Sequence, residues 1–144
     1  MLKLSKKTDY AIVALSHLYE KGNPASAREI ASFYNLSSPM LSNVMKLLSS
    51  FGVVSSKRGV AGGYTLGKAP GKIFLGELIE IIDGPMRFSD CADNNYECRA
   101  QKHCPAKLPI EKIHRKIKSF MDSLSLEDMI NDKNLEPISP QPIN

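Results

Sequence analysis

The sequence predicts a mainly α fold, interrupted once by a two-stranded β hairpin and closed by a long amphipathic helix. Apolar residues recur at helical spacing in stretches on both sides of residues 53–66. Within that window the pattern changes to strand type around a glycine-rich turn. With 144 residues, of which 42% are hydrophobic and 24% charged, the chain suffices for one cored domain, or a small domain with a helical extension. Two independent full-size domains would not fit. No apolar run approaches the length of a membrane span. The start, Met1-Leu-Lys-Leu-Ser-Lys-Lys-Thr-Asp9, lacks the apolar stretch and cleavage site of a secretory signal. A cytoplasmic location with no membrane partner is expected.

The first helix is read from Thr8 to Tyr19, apolar on nearly every side, with Thr8 as cap and Asp9 in the first turn. Gly22-Asn23-Pro24 stops it. Ser26 and Glu29 form a capping box, each able to satisfy an orphan amide of the other, and Ile30, Phe33 and Tyr34 follow at helical spacing. This second helix ends near Asn35. Ser38 is the expected cap of the next, with Pro39 at its first position, where a missing amide costs nothing.

In this third helix Leu41, Val44, Leu48 and Phe51 share one stripe. The opposite face, Pro39, Ser42, Asn43, Lys46 and Ser50, is small or polar. Helix, short turn and helix with a polar outer face is the helix-turn-helix pattern, whose second helix enters the DNA major groove. After Gly52, Val53 to Arg58 reads as a strand, Gly59 to Gly63 as a turn and Tyr64 to Leu66 as the return. The hairpin is a wing with Arg58 at its tip, suited to the negative potential of a narrow minor groove. The expected DNA-contact set is Ser38, Pro39, Met40, Ser42, Asn43 and Lys46, with Arg58 and Gly59 of the wing.

Charge points the same way. The net charge of +4 divides into ten basic against three acidic residues before position 73, and nine against twelve after it. A basic half is the footprint of a polyanion binder, although a solvated basic face would look the same.

Leu75, Leu78, Ile79 and Ile82 predict a fourth helix that stops at Asp83-Gly84-Pro85. A stripe of Ile110, Ile113, Ile117, Phe120, Met121 and Leu124 then marks a long amphipathic helix from about Leu108 to Leu124. Such a helix beyond a finished core needs another surface, and a second copy is the simplest supplier. Ser125 to Asp128 can cap one further short helix. The expected division is a winged helix-turn-helix domain at 1–85, a cysteine loop at 86–109, a dimerisation helix at 110–130 and a disordered tail at 131–144.

All three cysteines, Cys91, Cys98 and Cys104, lie in the loop with spacing C-x6-C-x5-C. An odd number cannot pair fully within the chain, and clustered thiols suit metal binding or redox sensing. Thiolates ligate iron-sulfur clusters. Zinc, completed by His103 or His114, and unligated thiols are the alternatives, although no C-x2-C knuckle favours zinc. No phosphate loop, nucleophile elbow or catalytic carboxylate pair suggests an enzyme. A winged helix used only for protein contact is another rival.

The start Leu2 to Ala11, the wing Arg58 to Leu66, the segment Glu77 to Pro85 and the spaced cysteines together resemble the IscR/NsrR-type (Rrf) family of winged-helix iron-sulfur transcriptional regulators, most of all those of SUF assembly genes. The resemblance, over about residues 1–130, implies a homodimer on a DNA operator, with crossed long helices and a cluster of the 2Fe-2S or 4Fe-4S type. It places the cluster on Cys91, Cys98 and Cys104, the base-reading helix on Ser38 to Ser49, and the minor-groove arginine on Arg58. Ser42 stands where IscR has a discriminating glutamate, so its base preference is broader. The first cysteine gap is one residue longer than is common in the family. Lys107 replaces the histidine ligand of IscR, and an ammonium cannot ligate iron. Asp9, supplied by the partner subunit, matches the aspartate ligand of NsrR-type regulators and is the expected fourth ligand.

Overall fold

The computed structural model describes residues 3–90, 97–100 and 103–131. Six α-helices and one hairpin follow in the order α1 (Lys6–Lys21), α2 (Ala27–Phe33), α3 (Ser38–Ser50), β1 (Val54–Lys57), β2 (Gly63–Leu66), α4 (Leu75–Asp83), α5 (Lys107–Ser123) and α6 (Leu126–Asn131), with a 3-10 turn at Pro70–Lys72 before α4. The fold is mainly α with a winged helix-turn-helix, as the patterning predicts. The tail beyond Asn131 and Cys91 lie outside the described residues.

The helices start slightly earlier than the sequence reading places them. Ser5, not Thr8, caps α1, its hydroxyl accepting the Thr8 amide at 3.1 Å. Thr8 is buried and donates its hydroxyl to Asp83 Oδ2 at 2.8 Å, joining the start of α1 to the end of α4. Likewise Ser37 rather than Ser38 occupies the cap position of α3, so Pro39 falls at the second helical position, where its missing amide is still harmless. The capping box of α2 is formed as read, the Ser26 amide donating to Glu29 at 2.6 Å and the Glu29 amide to Ser26 Oγ at 3.1 Å. The Ser26 amide first, and then the Ser26 side chain, hold the Glu29 carboxyl below its ordinary range.

The core gathers one face of each early helix. Ala11, Ala14 and Leu15 of α1, Ile30 and Ala31 of α2, Leu41, Met45 and Leu48 of α3, and Leu78 of α4 are closed to solvent, around Val53 and Val54 at the hairpin base. The hairpin is antiparallel, pairing Val54 with Leu66 and Lys57 with Gly63. It has a third partner the alternation does not reveal: Ala25 and Tyr64 exchange backbone hydrogen bonds at 3.1 and 2.8 Å. Gly63 permits this approach, because a Cβ there would sit 2.5 Å from the Ala25 carbonyl carbon and its φ is +145°.

The short α6 returns to this core. The Leu126 amide donates to Ile73 O at 2.7 Å and the Leu75 amide to Leu124 O at 2.9 Å, and Leu126 is fully buried. Residues 124–131 thus complete the winged-helix core. The Ser125 and Asp128 pair caps α6 as the sequence suggests, the Asp128 amide donating to Ser125 Oγ at 3.1 Å and the Ser125 amide to Asp128 Oδ2 at 3.0 Å.

The long α5 buries no residue completely. Its C-terminal half packs on α4 so closely that a Cβ at Gly76 would overlap Asp122. Lys118 ties the two helices by reaching Glu80 at 2.6 Å, and also pairs within α5 with Asp122 at 3.1 Å. Of the apolar stripe, Ile110, Ile117 and Met121 are half-buried, whereas Ile113 and Phe120 remain 53% and 56% exposed.

Candidate nucleic-acid interface and cysteine loop

Burial of Leu41, Val44, Met45 and Leu48 turns the opposite side of α3 outward. Pro39, Asn43 and Lys46 are exposed, and Ser38, Met40 and Ser42 are half-buried beside them. These six predicted residues therefore form one accessible face. Small side chains at Ser38 and Ser42 leave room for base edges, while Asn43 can donate and accept in the plane of a base pair.

Three contacts fix the direction of α3. Asn35 takes a left-handed conformation, with φ +54°, to make the tight turn out of α2. The Leu36 amide then donates to Ala31 O at 2.8 Å. The Ser37 amide donates to the Tyr10 hydroxyl at 3.3 Å, which anchors the start of α3 to α1. Residue patterning misses this role of Tyr10. Its only signal is a hydroxylated aromatic on an otherwise buried helix.

Arg58 directly follows β1 and Gly59 follows it, both exposed at the shoulder of the wing. Val60, at the tip, projects wholly into solvent. Because the hairpin is fastened to Ala25 through Tyr64, the wing is held as part of the same body as α2. Lys46, Lys57 and Arg58 are in no ion pair among the described residues, so their charges are available to a polyanion.

Behind this face His17 is buried against Tyr34, whose hydroxyl lies 3.3 Å from Nδ1, and meets the edges of Phe33 and Tyr34. Burial, and then the nearby Lys21 charge, push its pKa below 6.5.

The cysteine loop leaves α4 at Gly84 and runs into α5. Phe88 at its start meets His114 of α5 with ring centroids 5.4 Å apart, and His114 Nδ1 is buried with no hydrogen-bond partner among the described residues. Cys98 and Cys104 are free thiols, half-buried rather than sealed in the core. His103 is exposed between them. Asp9 lies exposed on the first turn of α1, away from the buried face of Thr8, Ala11 and Leu15. Among the described residues no three His, Cys, Asp or Glu side chains come together as a metal site. The donors that are described fit a cluster in kind, being two soft thiol ligands that are not sealed in the core. The third thiol, Cys91, is outside the described residues, and among the described residues Asp9 is not grouped with Cys98 and Cys104.

A tri-helical head with a wing, presenting an uncompensated basic and hydrogen-bonding face, defines a winged-helix DNA-binding protein. Comparison with known proteins makes this specific. The Rrf2 family signature, described as "Iron-dependent Transcriptional regulator", matches residues 4–132, and the chain belongs to that family. The IscR regulator of Xenorhabdus nematophila is 28% identical over 136 residues, covering 93% of this chain and 82% of its own. Among solved structures, CymR of B. subtilis, described as the global cysteine regulator, superposes with a TM-score of 0.75 at 32% identity, over 93% of this chain and all of its own. IscR of T. potens gives 0.72 at 29% identity, over 97% and 94%. The chain is therefore a DNA-binding transcriptional regulator and not an enzyme. Among the described residues no helix is long and apolar enough to cross a membrane.

Proposed function

We propose that this chain is a homodimeric regulator whose operator affinity is set by an iron-sulfur cluster held on Cys91, Cys98 and Cys104. The observation that carries the reading is the placement of Cys98 and Cys104 as free, half-buried thiols on the loop that enters α5. The iron-dependent description of the family and the likeness to IscR support it. A bound cluster would supply a group whose charge and ligand set change with cluster supply or oxidation. The protein's part is to join that loop to the reading head. Phe88 and His114 connect the loop to α5, and Lys118 with Glu80 connects α5 to α4.

The second copy would cover Ile113 and Phe120, and it can bring Asp9 to the loop as the fourth ligand, since Asp9 is exposed and, among the described residues, belongs to no cluster of donors in its own chain. Oxygen ligation is weaker for iron than thiolate and would suit a site opened by a signal. The face of Ser38, Pro39, Met40, Ser42, Asn43 and Lys46 reads the major groove, and Arg58 with Gly59 follows the minor groove.

The likeness to CymR favours a second reading, in which the thiols carry no cluster and the protein responds to thiol chemistry alone. Anaerobic purification separates the two. The cluster reading expects coloured protein with iron and acid-labile sulfide, both abolished by Cys98→Ala or Cys104→Ala in a chain that stays folded. Colourless protein without sulfide, or stoichiometric zinc, would end it. Asp9→Ala should alter the cluster's spectrum and lability; an unchanged spectrum removes Asp9 and leaves His103 as the next ligand.

A further inference from the structure

The start of α1, the end of α4, the first residues of the loop and α5 together bound a cleft. Among the described residues that line it are none of the DNA-contact set and none of the proposed cluster ligands. Its walls are fastened to one another. Thr8 of α1 donates to Asp83 at the end of α4 at 2.8 Å. Gly84 then takes φ +84°, a conformation that favours glycine, and residues 84–88 join the segment from Lys3 to Lys6 in lining the space. Phe88 meets His114 of α5, and Met121, seven residues further along and so on the same face of that helix, adds the remaining wall. The volume of about 650 Å³ falls within the range of small-ligand sites.

The chemistry of the lining selects a ligand class. Leu4, Ile79, Met86, Phe88 and Met121 are apolar, and two unbranched methionines adapt readily to an aliphatic chain. Lys3, Lys6 and Arg87 stand against a single acid, Asp83, whose Oδ2 already accepts the Thr8 hydroxyl. Lys3 and Lys6 are exposed and in no ion pair among the described residues. An apolar surface beside an excess of positive charge complements a molecule with an apolar body and one anionic group. The surface proposed for the second copy lies elsewhere on α5. Ile113 and Phe120 each precede His114 and Met121 by one residue, about 100° round the helix, and are more than half exposed.

We propose that this cleft binds a small organic anion of the medium-chain carboxylate class, its chain among Leu4, Ile79, Met86 and Met121 and its carboxylate toward Lys3 and Lys6. The site stands apart from the cluster and DNA readings. It puts a ligand where the winged-helix head passes into the cysteine loop.

Calorimetric titration of the full chain with octanoate, octanol and octylammonium, all below micelle formation, tests it. One octanoate per chain should bind with Kd on the order of 0.1 mM. Octanol should bind about tenfold more weakly and octylammonium more weakly still. Lys3→Gln combined with Lys6→Gln should bring octanoate down about tenfold, to the level of octanol, whose own binding does not change. Met86→Glu sets a like charge in the lining and should weaken octanoate further. Melting curves and sedimentation of the unliganded variants accompany each titration; should Met86→Glu fail to fold, the exposed lysine pair decides alone. Absence of saturable octanoate binding overturns the proposal, as does equal binding of the three probes or wild-type affinity in the lysine double variant. Loss of binding that only accompanies dissociation to monomers also overturns it and assigns the cleft to a second copy. Neither DNA nor iron enters the titration, so its failure leaves the other two readings standing.

Discussion

In the proposed DNA interface Arg58 and Asn43 divide the work of contact by their chemistry. Arg58, exposed at the wing shoulder, adds charge to a groove, so Arg58→Ala should weaken binding to every duplex and shallow the salt slope by about 0.9 per head or less. Asn43, exposed on α3, can bond a base edge, so Asn43→Ala should cost about 1–3 kcal/mol at one base pair and re-rank operator variants. Binding titrations against a set of single-base operator variants distinguish the two patterns. His17 gives the fold a pH dependence. Its folded pKa lies below 6.5 because burial and then Lys21 disfavour the imidazolium, against weaker opposing pulls from Glu20 and Glu29. Around that pH the unfolded chain binds the extra proton, so stability is full above 6.5 and falls as pH drops through it towards the folded value. Melting curves from pH 7.5 to 5.5 should show a steeper decline for wild type than for His17→Phe; equal declines would remove His17 as the cause. At this scale the sequence is legible where bonds are local. Ser26 and Glu29 announce their box three residues apart, but the choice between Ser5 and Thr8 as cap depends on Asp83, 75 residues away, which takes the Thr8 hydroxyl.

Helices α1 to α4 and the wing were readable because each buries one periodic face, and periodicity is a property of a short window. Two features escape such a window. The Ala25–Tyr64 bridge joins single residues across the head and has no period. The docking of α6 joins residues 50 positions apart, although Leu126, Met129 and Ile130 carry the spacing of a buried helical face and could have signalled it. On α5 the stripe is correctly read, but only the structure divides it into a half that meets α4 and a half that remains open. Ile113 and Phe120 are the open half, too exposed to contribute to the core of one chain. If they seal the proposed homodimer, replacing both with glutamate should leave the head folded and shift the protein to monomers, with operator affinity reduced tenfold or more as the paired heads separate. Sedimentation reads the first outcome and DNA titration the second. Dimers that persist in the double variant would place the partner surface elsewhere.

As a whole, the molecule links a charged reading head to a thiol-bearing loop through helices already fastened to one another. Lys118 of α5 is held charged by Glu80 of α4 and then by Asp122 of its own helix, so an ion pair ties α4 to α5. The class of protein was legible because winged heads are built from local patterns, and the proposed DNA face was read from the same patterns. The proposed cluster site was legible only as a ligand set, since one of its thiols, Cys91, lies outside the described residues and its proposed fourth ligand belongs to a second chain. The central claim is that the state of the cysteine loop sets DNA affinity, and operator titration of one anaerobic preparation, before and after chelation of its iron, tests it most directly. The account predicts at least a tenfold change in affinity on cluster removal, absent in Cys98→Ala, with little change in binding to unselected DNA. Identical operator isotherms for the iron-sulfur-loaded and stripped protein would contradict it.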